Sequence, residues 1–425
     1  MAIDRWTRSL LLAAAFGATV ALAQAQPATL GTNLQGLLEH ARANHPELAS
    51  MRLEADAAAQ RVQPAGALPD PMFRIELNNF TNTGNPAGPN LLPSRVGETM
   101  YTLIQPLPGW GKRALRQEAA TADAAQADAR AKAVWTELAM RIKTAYAQYH
   151  YVAGNERLTA EVLDLMTRLE KIAQARYAGG LVEQQDAVRA QLEQTAMRSE
   201  LIMLDSEKQQ LRARLNALLA RESGAPLAEP LAPRPLPSPA ALEAATLAAR
   251  ARSGNPSLLA EEARLLAAMK SRDLTLRNRY PDFQVGLAPT QMGSRITAWQ
   301  LMFEMNIPLQ QSTRRSEERE AEAMVGAARA RAEMVANQLR GELAESLAGL
   351  EAARRTESLV SAQLLPQSEL GLRSALASYE NGKVDFATLL DAQRLIRKAQ
   401  QDRLKAQAEA QMRLAEIERI VGEDL

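Results

Sequence analysis

Apolar residues along much of this chain recur at alternating spacings of four and three. Leu158, Val162, Leu165, Leu169 and Ile172 keep that rhythm without a break. It is the seam along which long helices supercoil. Leu204, Leu211, Leu215 and Leu218 carry a second seam, and Leu339, Leu343, Leu347 and Leu350 a third. No proline occurs between Gly109 and Ala225. The pattern predicts helices over 112–178 and 182–220, the first about 100 Å long at roughly 1.5 Å per residue. It predicts two more over 312–378 and 385–421, with a kink or a change of partner at Pro366. Shorter helices are expected at 34–63 and 239–278.

Elsewhere the period changes to two. In 72–80, Phe73, Ile75 and Leu77 face one side, and Arg74, Glu76 and Asn78 the other. In 298–306, Trp299, Leu301, Phe303 and Met305 oppose Gln300, Glu304 and Asn306. Weaker alternation occupies 98–105 and 282–288. Strands of about nine residues, apolar outside and charged inside, suit the wall of an outer-membrane barrel. A half-buried sheet in a soluble protein alternates in the same way. The connections favour the barrel. A Gly/Pro/Asn-rich loop at 81–97 and a shorter one at 289–296 join the strands on one side, and the long helices leave from the other. Four strands cannot close a barrel, and open edges are not tolerated in lipid. Strands placed in a membrane therefore require several chains.

The chain also repeats itself. Tyr177, Gly180 and Val182 return 202 residues later as Tyr379, Gly382 and Val384, and Pro106-Leu107 returns at the same spacing as Pro308-Leu309. Upstream, His45-Pro46 answers Asn255-Pro256 at 210, and Pro69-Asp70 answers Pro281-Asp282 at 212. The first repeat spans 26–225 and the second 240–425. Between them 226–239 reads PLAEPLAPRPLPSP, an extended connector that proline keeps from becoming helix. The expected fold is mainly α with a small β part, a duplicated unit of short helix, strand pair and long helix pair. The helix pairs reverse at 177–182 and 379–384, where Gly179, Gly180 and Gly382 permit the turn.

Composition narrows the function. A net charge of +1 offers no field for nucleic acid. With no cysteine there are no disulfides, thiolate sites or cysteine nucleophiles. His40, His45 and His150 have no carboxylate cluster at ligand spacing, so no metal site and no cofactor are expected. Met197, Met203, Met302 and Met305 read as packing filler. Gly109-Trp110-Gly111-Lys112 is too short for a phosphate loop. No nucleophile–base arrangement appears, and an enzyme is not expected. Residues 1–25 read as an export signal: Arg5 and Arg8, a short apolar run from Leu10 to Leu22, then Ala23-Gln24-Ala25.

The duplicated order of several motifs resembles the TolC-like outer membrane efflux protein family. They are NHPEL at 44–48, PDP at 69–71, QPLPGWGKR at 105–113, YAGGLVEQQDAVRAQ at 177–191, LLPQSE at 364–369 and YENGKVDFATLLDAQ at 379–393. The resemblance implies a homotrimer with a twelve-stranded outer-membrane β-barrel continued by a periplasmic α-helical barrel. It implies as partners a periplasmic adaptor protein, which meets the tip turns, and an inner-membrane pump of the RND type. Those turns hold Gly179, Gly180, Leu181, Asn381, Gly382 and Lys383. The PDP and PGWGKR forms resemble the heavy-metal cation branch; drug-efflux and type I secretion channels share the scaffold.

Site residues follow from the same resemblance. Asp391 matches a position where the family places a carboxylate ring at the periplasmic entrance, and such a ring selects cations. Asp186 matches a position that latches neighbouring helices near the tip. The chain departs from the family pattern at Thr388, where a second ring carboxylate is expected, and Asp385 is the candidate substitute. A periplasmic coiled-coil adaptor is the competing expectation, since it would share the heptads and the export signal.

Overall fold

The computed structural model describes residues 30–81, 88–180, 183–230 and 232–425. The expected signal at 1–25 lies outside them. Helices α1 (Leu34–Asn44), α2 (Pro46–Gln60) and α3 (Val62–Gly66) lead into strands β1 (Met72–Asn78) and β2 (Glu98–Leu107). The long helices α4 (Lys112–Ala178) and α5 (Gln184–Leu218) follow. The order then recurs as α6 (Ala244–Gly254), α7 (Pro256–Arg277), β3 (Phe283–Met292), β4 (Arg295–Met305), α8 (Gln311–Leu359), α9 (Leu365–Glu380) and α10 (Phe386–Val421).

Proline shapes the short helices. Pro46 and Pro256 open α2 and α7, where a missing N–H costs nothing. Each forces the residue before it, His45 or Asn255, out of helical geometry. The helix expected over 34–63 is therefore broken at His45. The one expected over 239–278 becomes a 3₁₀ turn (Pro239–Leu242), α6 and α7.

Several boundaries move. β1 stops at Asn78, short of Phe80, because Asn79 turns to a φ of 55°. β2 runs past Gln105 to Leu107. The segment 289–296 is strand rather than loop, and only Gly293 and Ser294 lie between β3 and β4. Gly293 at φ 61° supplies the positive φ that two-residue hairpin turns use. Pro289 still marks the sheet: the β2–β3 pairing lapses between Leu287 and Thr290, where proline has no N–H to give. The helix expected over 312–378 is two helices, α8 and α9, joined by a π turn at Val360–Leu364 just before Pro366. Upstream of that turn Leu339, Leu343 and Leu350 pack with Leu247, Leu258 and Ile417. Downstream, Ala375 and Tyr379 pack with Met166, Leu169 and Ala190 of α4 and α5.

The four strands form one antiparallel sheet in the order β1-β2-β3-β4. The β2–β3 pair joins the two repeats, and β1 and β4 are free edges. Registered neighbours align Phe73, Leu103, Leu287 and Leu301 in one row across the sheet. All four are exposed, Leu301 by 78%. On the opposite face Thr102, Ile104, Ala288 and Thr290 are buried.

Register also sets how the repeats correspond. Phe73 pairs with Leu103, and Phe283 pairs with Met305, 202 residues beyond Leu103. Phe283 therefore matches Phe73, at a spacing of 210, which is also the spacing of α1 to α6 and of α2 to α7. The spacing of 212 between the two Pro-Asp pairs is a shift of motif: Asp282 stands at the position of Met72.

Two buried lysines tie sheet to helices and repeat to repeat. Lys112, 2% exposed, donates to the Tyr280 carbonyl at 2.9 Å and to Asp282 Oδ1 at 2.8 Å. The Gly109 N–H donates to the same oxygen at 2.6 Å. A Cβ at Gly109 would stand 2.7 Å from the Pro281 carbonyl oxygen, so Gly109-Trp110-Gly111-Lys112 is a junction between β2, α4 and the second repeat. Higher on α4, Lys143 donates to Glu418 Oε2 at 2.7 Å. Glu418 also accepts from Arg234 of the proline-rich connector at 2.7 Å and from the Leu425 N–H at 2.9 Å. The connector is thus a strap rather than a free linker, with Leu227 buried beside Leu37 and Leu215.

Replacing Glu418 with alanine strands Lys143 and Arg234 without their shared counter-charge. Removing one member of a buried ion pair costs about 3–5 kcal/mol. Glu418→Ala should lower the thermal midpoint of helical circular dichroism in detergent by several degrees. An unchanged midpoint would show that Asp424, the other acid on Lys143, suffices.

Candidate functional site at the helix tips

Both long helix pairs end in a turn with a left-handed glycine, Gly180 at φ 69° and Gly382 at φ 70°. The Gly180 N–H returns to the Tyr177 carbonyl at 2.9 Å, and the Gly382 N–H to the Tyr379 carbonyl at 3.0 Å. Equivalent residues thus close equivalent turns. Gly179, Asn381 and Lys383 are exposed beside them. Leu181 lies outside the described residues.

The two turns touch. The Arg176 guanidinium donates to the Tyr379 carbonyl and sits 4.8 Å over the Tyr379 ring. Tyr379 is 1% exposed and meets Phe386 edge-on, with ring centroids 5.4 Å apart. A side chain at Gly382 would press on Arg176, 3.3 Å from the built Cβ. The Tyr379 hydroxyl is buried without a hydrogen-bond partner of ordinary geometry. Burial raises its pKa, and the nearby Asp186 carboxylate raises it further.

Asp186 is half-buried in this cluster. Burial pushes its carboxyl above the ordinary 3.8, Arg189 pulls it back, and Asp385 pushes it up again. Asp385 itself caps α10, accepting from the Thr388 N–H at 3.0 Å and the Thr388 hydroxyl at 2.6 Å. These bonds, the hydroxyl's first, hold the Asp385 carboxyl below its ordinary value. Asp385 and Thr388 are therefore occupied with each other as a helix cap.

Asp391 stands apart from that cluster, on the exposed side of α10. Its nearest cation is Arg394 at 3.7 Å, and both side chains are exposed. Arg394 in turn donates to Glu193 on α5 at 2.9 Å. These residues line an open groove of about 390 Å³ with Arg189 and Leu192. A turn further up, Arg397 reaches Glu200. The structure thus brings Asp186, Asp385, Thr388 and Tyr379 together and places Asp391 on a separate charged ladder. Sequence reasoning missed Arg176, Arg394 and Glu193. Tyr379 was visible as a repeated tip residue, but nothing in one sequence marked which cation lies over it.

Among the described residues no three His, Cys, Asp or Glu side chains gather where they could hold a metal ion, and no helix is long and apolar enough to cross a membrane. The arrangement offers exposed charge and a fastened turn.

Known proteins match this architecture. The sequence pattern described as "Outer membrane efflux protein" fits residues 37–221 and 247–423. No curated protein matches the chain by sequence. Among solved structures, VceC of Vibrio cholerae superposes with a TM-score of 0.77 at 20% identity, covering 92% of this chain and 96% of that one. CusC gives 0.77 at 16% identity, with 93% of each chain covered. The outer-membrane channel OprN gives 0.75 at 20% identity, covering 92% and 89%. At such identities the likeness speaks for the fold.

The tip geometry sets two expectations. Arg176→Ala removes a charged hydrogen bond and a cation–π contact, about 2 kcal/mol together. Amide hydrogen exchange at 379–386 should then quicken roughly thirtyfold, while the Glu418 region keeps its protection. Asp186, with its raised pKa, favours the closed cluster when protonated. That contribution is full below 3.8 and is lost as pH rises through the raised value. Asp385, with its lowered pKa, contributes above 3.8 and loses its part as pH falls through its folded value. Tip protection should therefore rise on mild acidification and fall again in stronger acid. Asp186→Asn should abolish the rise and keep the fall.

Proposed function

We propose, since this chain belongs to the outer membrane efflux protein family, that it is the exit duct of a tripartite efflux system, built from three copies. Members of the family are passive outer-membrane channels and not enzymes. In this reading three sheets close a twelve-stranded barrel in the outer membrane, and α4, α5 and α8 to α10 form a helical tunnel through the periplasm. The exposed tip turns, with Gly179, Gly180, Asn381, Gly382 and Lys383, meet a periplasmic adaptor. The adaptor links the duct to an inner-membrane pump of the RND type.

One observation carries the reading: a four-stranded sheet with an exposed apolar face and two unpaired edges. Phe73, Leu103, Trp299, Leu301 and Phe303 would be costly in water, and lipid accepts them. A soluble periplasmic adaptor gives no use for that face.

For cargo we propose cations, heavy metals foremost, on the PDP and PGWGKR forms and on Asp391. In a closed ring of copies Asp391 would repeat around the axis at the entrance. Asp186 belongs to the latch that holds the tip. The duct itself binds its cargo weakly, because transit requires weak sites.

The mature protein should need detergent and run as a trimer; a soluble monomer would defeat the reading. In planar bilayers, Asp391→Asn should reduce the preference for cations over anions and relieve block by divalent cations. Unchanged selectivity and block would remove Asp391 from the constriction.

A further inference from the structure

Trp110 is 94% exposed, more than any other large apolar side chain among the described residues. Leaving so large a ring in water is unfavourable. It stands three residues past the end of β2, at the corner where the sheet passes into α4. Tyr280, 58% exposed, stands three residues before β3 at the same corner. The glycines on either side hold Trp110 there. A Cβ on Gly109 would strike the Pro281 carbonyl, and one on Gly111 would stand 3.9 Å from Arg277 Nε. The Arg277 guanidinium lies 5.8 Å from the centre of the Tyr280 ring. It is exposed and has no carboxylate partner among the described residues.

Strand length sets the level of this corner. β4 has 11 residues, which at roughly 3.4 Å each and a tilt of about 40° rise about 28 Å. The apolar band of an outer-membrane barrel is about 25 Å tall. The strands therefore use up the band, and the residues just past their ends fall at its border. Charge changes at the same level. The segments 66–71, 108–116, 276–282 and 306–316 hold seven Lys or Arg against two acids, Asp70 and Asp282. The excess is positive where a membrane presents its phosphates. Both strands at this corner are paired on both sides, β2 with β1 and β3, and β3 with β2 and β4. The corner thus stays clear of the free edges.

We infer that this corner is a phospholipid-headgroup site: the Trp110 and Tyr280 rings lie at the glycerol level of the periplasmic leaflet, and Arg277 donates to the lipid phosphate. The inference deepens the proposed function and rests on its placement of the sheet in a membrane. Indole and phenol suit that level because each has an apolar body and one polar group. A guanidinium suits phosphate because it donates in a planar fork. The second repeat carries no copy of the site. Ser312 and Asp70 stand where the repeat spacings would return Trp110 and Tyr280. Each chain therefore has one such corner, at the seam between its repeats.

The test reads tryptophan fluorescence in two forms of the full chain. Trp6→Phe/Trp135→Phe/Trp299→Phe keeps Trp110 alone, and Trp6→Phe/Trp110→Phe/Trp135→Phe keeps Trp299 alone. Trp299 is 65% exposed on the apolar face, near the middle of β4. Both forms are reconstituted into vesicles of phosphatidylethanolamine and phosphatidylglycerol. The vesicles also carry a phosphatidylcholine with either a nitroxide on its headgroup or bromines midway along a chain. Helical circular dichroism of each form verifies that it has folded.

The headgroup nitroxide should quench Trp110 about twice as strongly as the chain bromines do, and the order should reverse for Trp299. Adding Arg277→Gln to the Trp110 form should remove about half of the headgroup quenching, because the ring loses its charged anchor beside the phosphate. Unchanged quenching in that variant would overturn the phosphate contact. Trp299 quenched by the bromines while Trp110 answers only to acrylamide in the buffer would overturn the headgroup site and leave the membrane-borne duct standing. Trp110 quenched most by the bromines would overturn the site as well, by placing the corner inside the band. A folded protein whose Trp299 neither lipid quencher reaches would overturn the membrane reading itself.

Discussion

An antiparallel sheet with two free edges carries two rows of unpaired N–H and C=O groups. In water those groups are solvated, and in lipid they are not. Among its described residues this chain has such a sheet, and four strands are too few to close by themselves. Much else follows from that shortage. The outer row through Phe73, Leu103, Leu287 and Leu301 is apolar and exposed, and in the proposed assembly it faces lipid. Where β2 turns into α4, Lys112 reaches Asp282 and fastens that corner to the second repeat.

Duplication supplies the geometry at low cost in new contacts. One seam, used within the chain between repeats, can be used again between chains if the halves correspond. The strands keep that correspondence well enough that one register reproduces the other. The helices keep it less strictly: Lys112 has Arg314 at its counterpart, and Asp282 has Met72. The seam between repeats therefore holds an ion pair on a buried lysine that the repeat does not duplicate. At the tips the same asymmetry appears. Arg176 over Tyr379 fastens the two turns of one chain, whereas the counterparts of those residues are Ser378 and Tyr177, and Tyr177 is exposed.

The charged groups divide between holding and guiding. Glu418, itself buried, gathers Lys143, Arg234 and the Leu425 N–H, so its role is to bind connector and helix together. Asp385 and Thr388 spend their polarity on capping α10. Asp391 is exposed and paired only loosely, at 3.7 Å, with an Arg394 that is already held by Glu193, which leaves its charge facing solvent.

The sequence by itself determined the period of each element, because heptads and alternation are local consequences of burying one face. It showed the duplication, the turns at Gly180 and Gly382, and the absence of any catalytic constellation. It misplaced the 289–296 segment, since Pro289 and Gly293 read as loop while the pairing of β3 with β4 overrides them. It read 226–239 as an extended connector but not where that connector docks, because nothing local reveals that Arg234 meets a carboxylate 184 residues away. Contacts of that kind depend on which surfaces the fold brings together. Only the tertiary structure could therefore show that Asp186, Tyr379 and Arg176 share one cluster, that Asp391 stands outside it, and that the two repeats meet along β2 and β3.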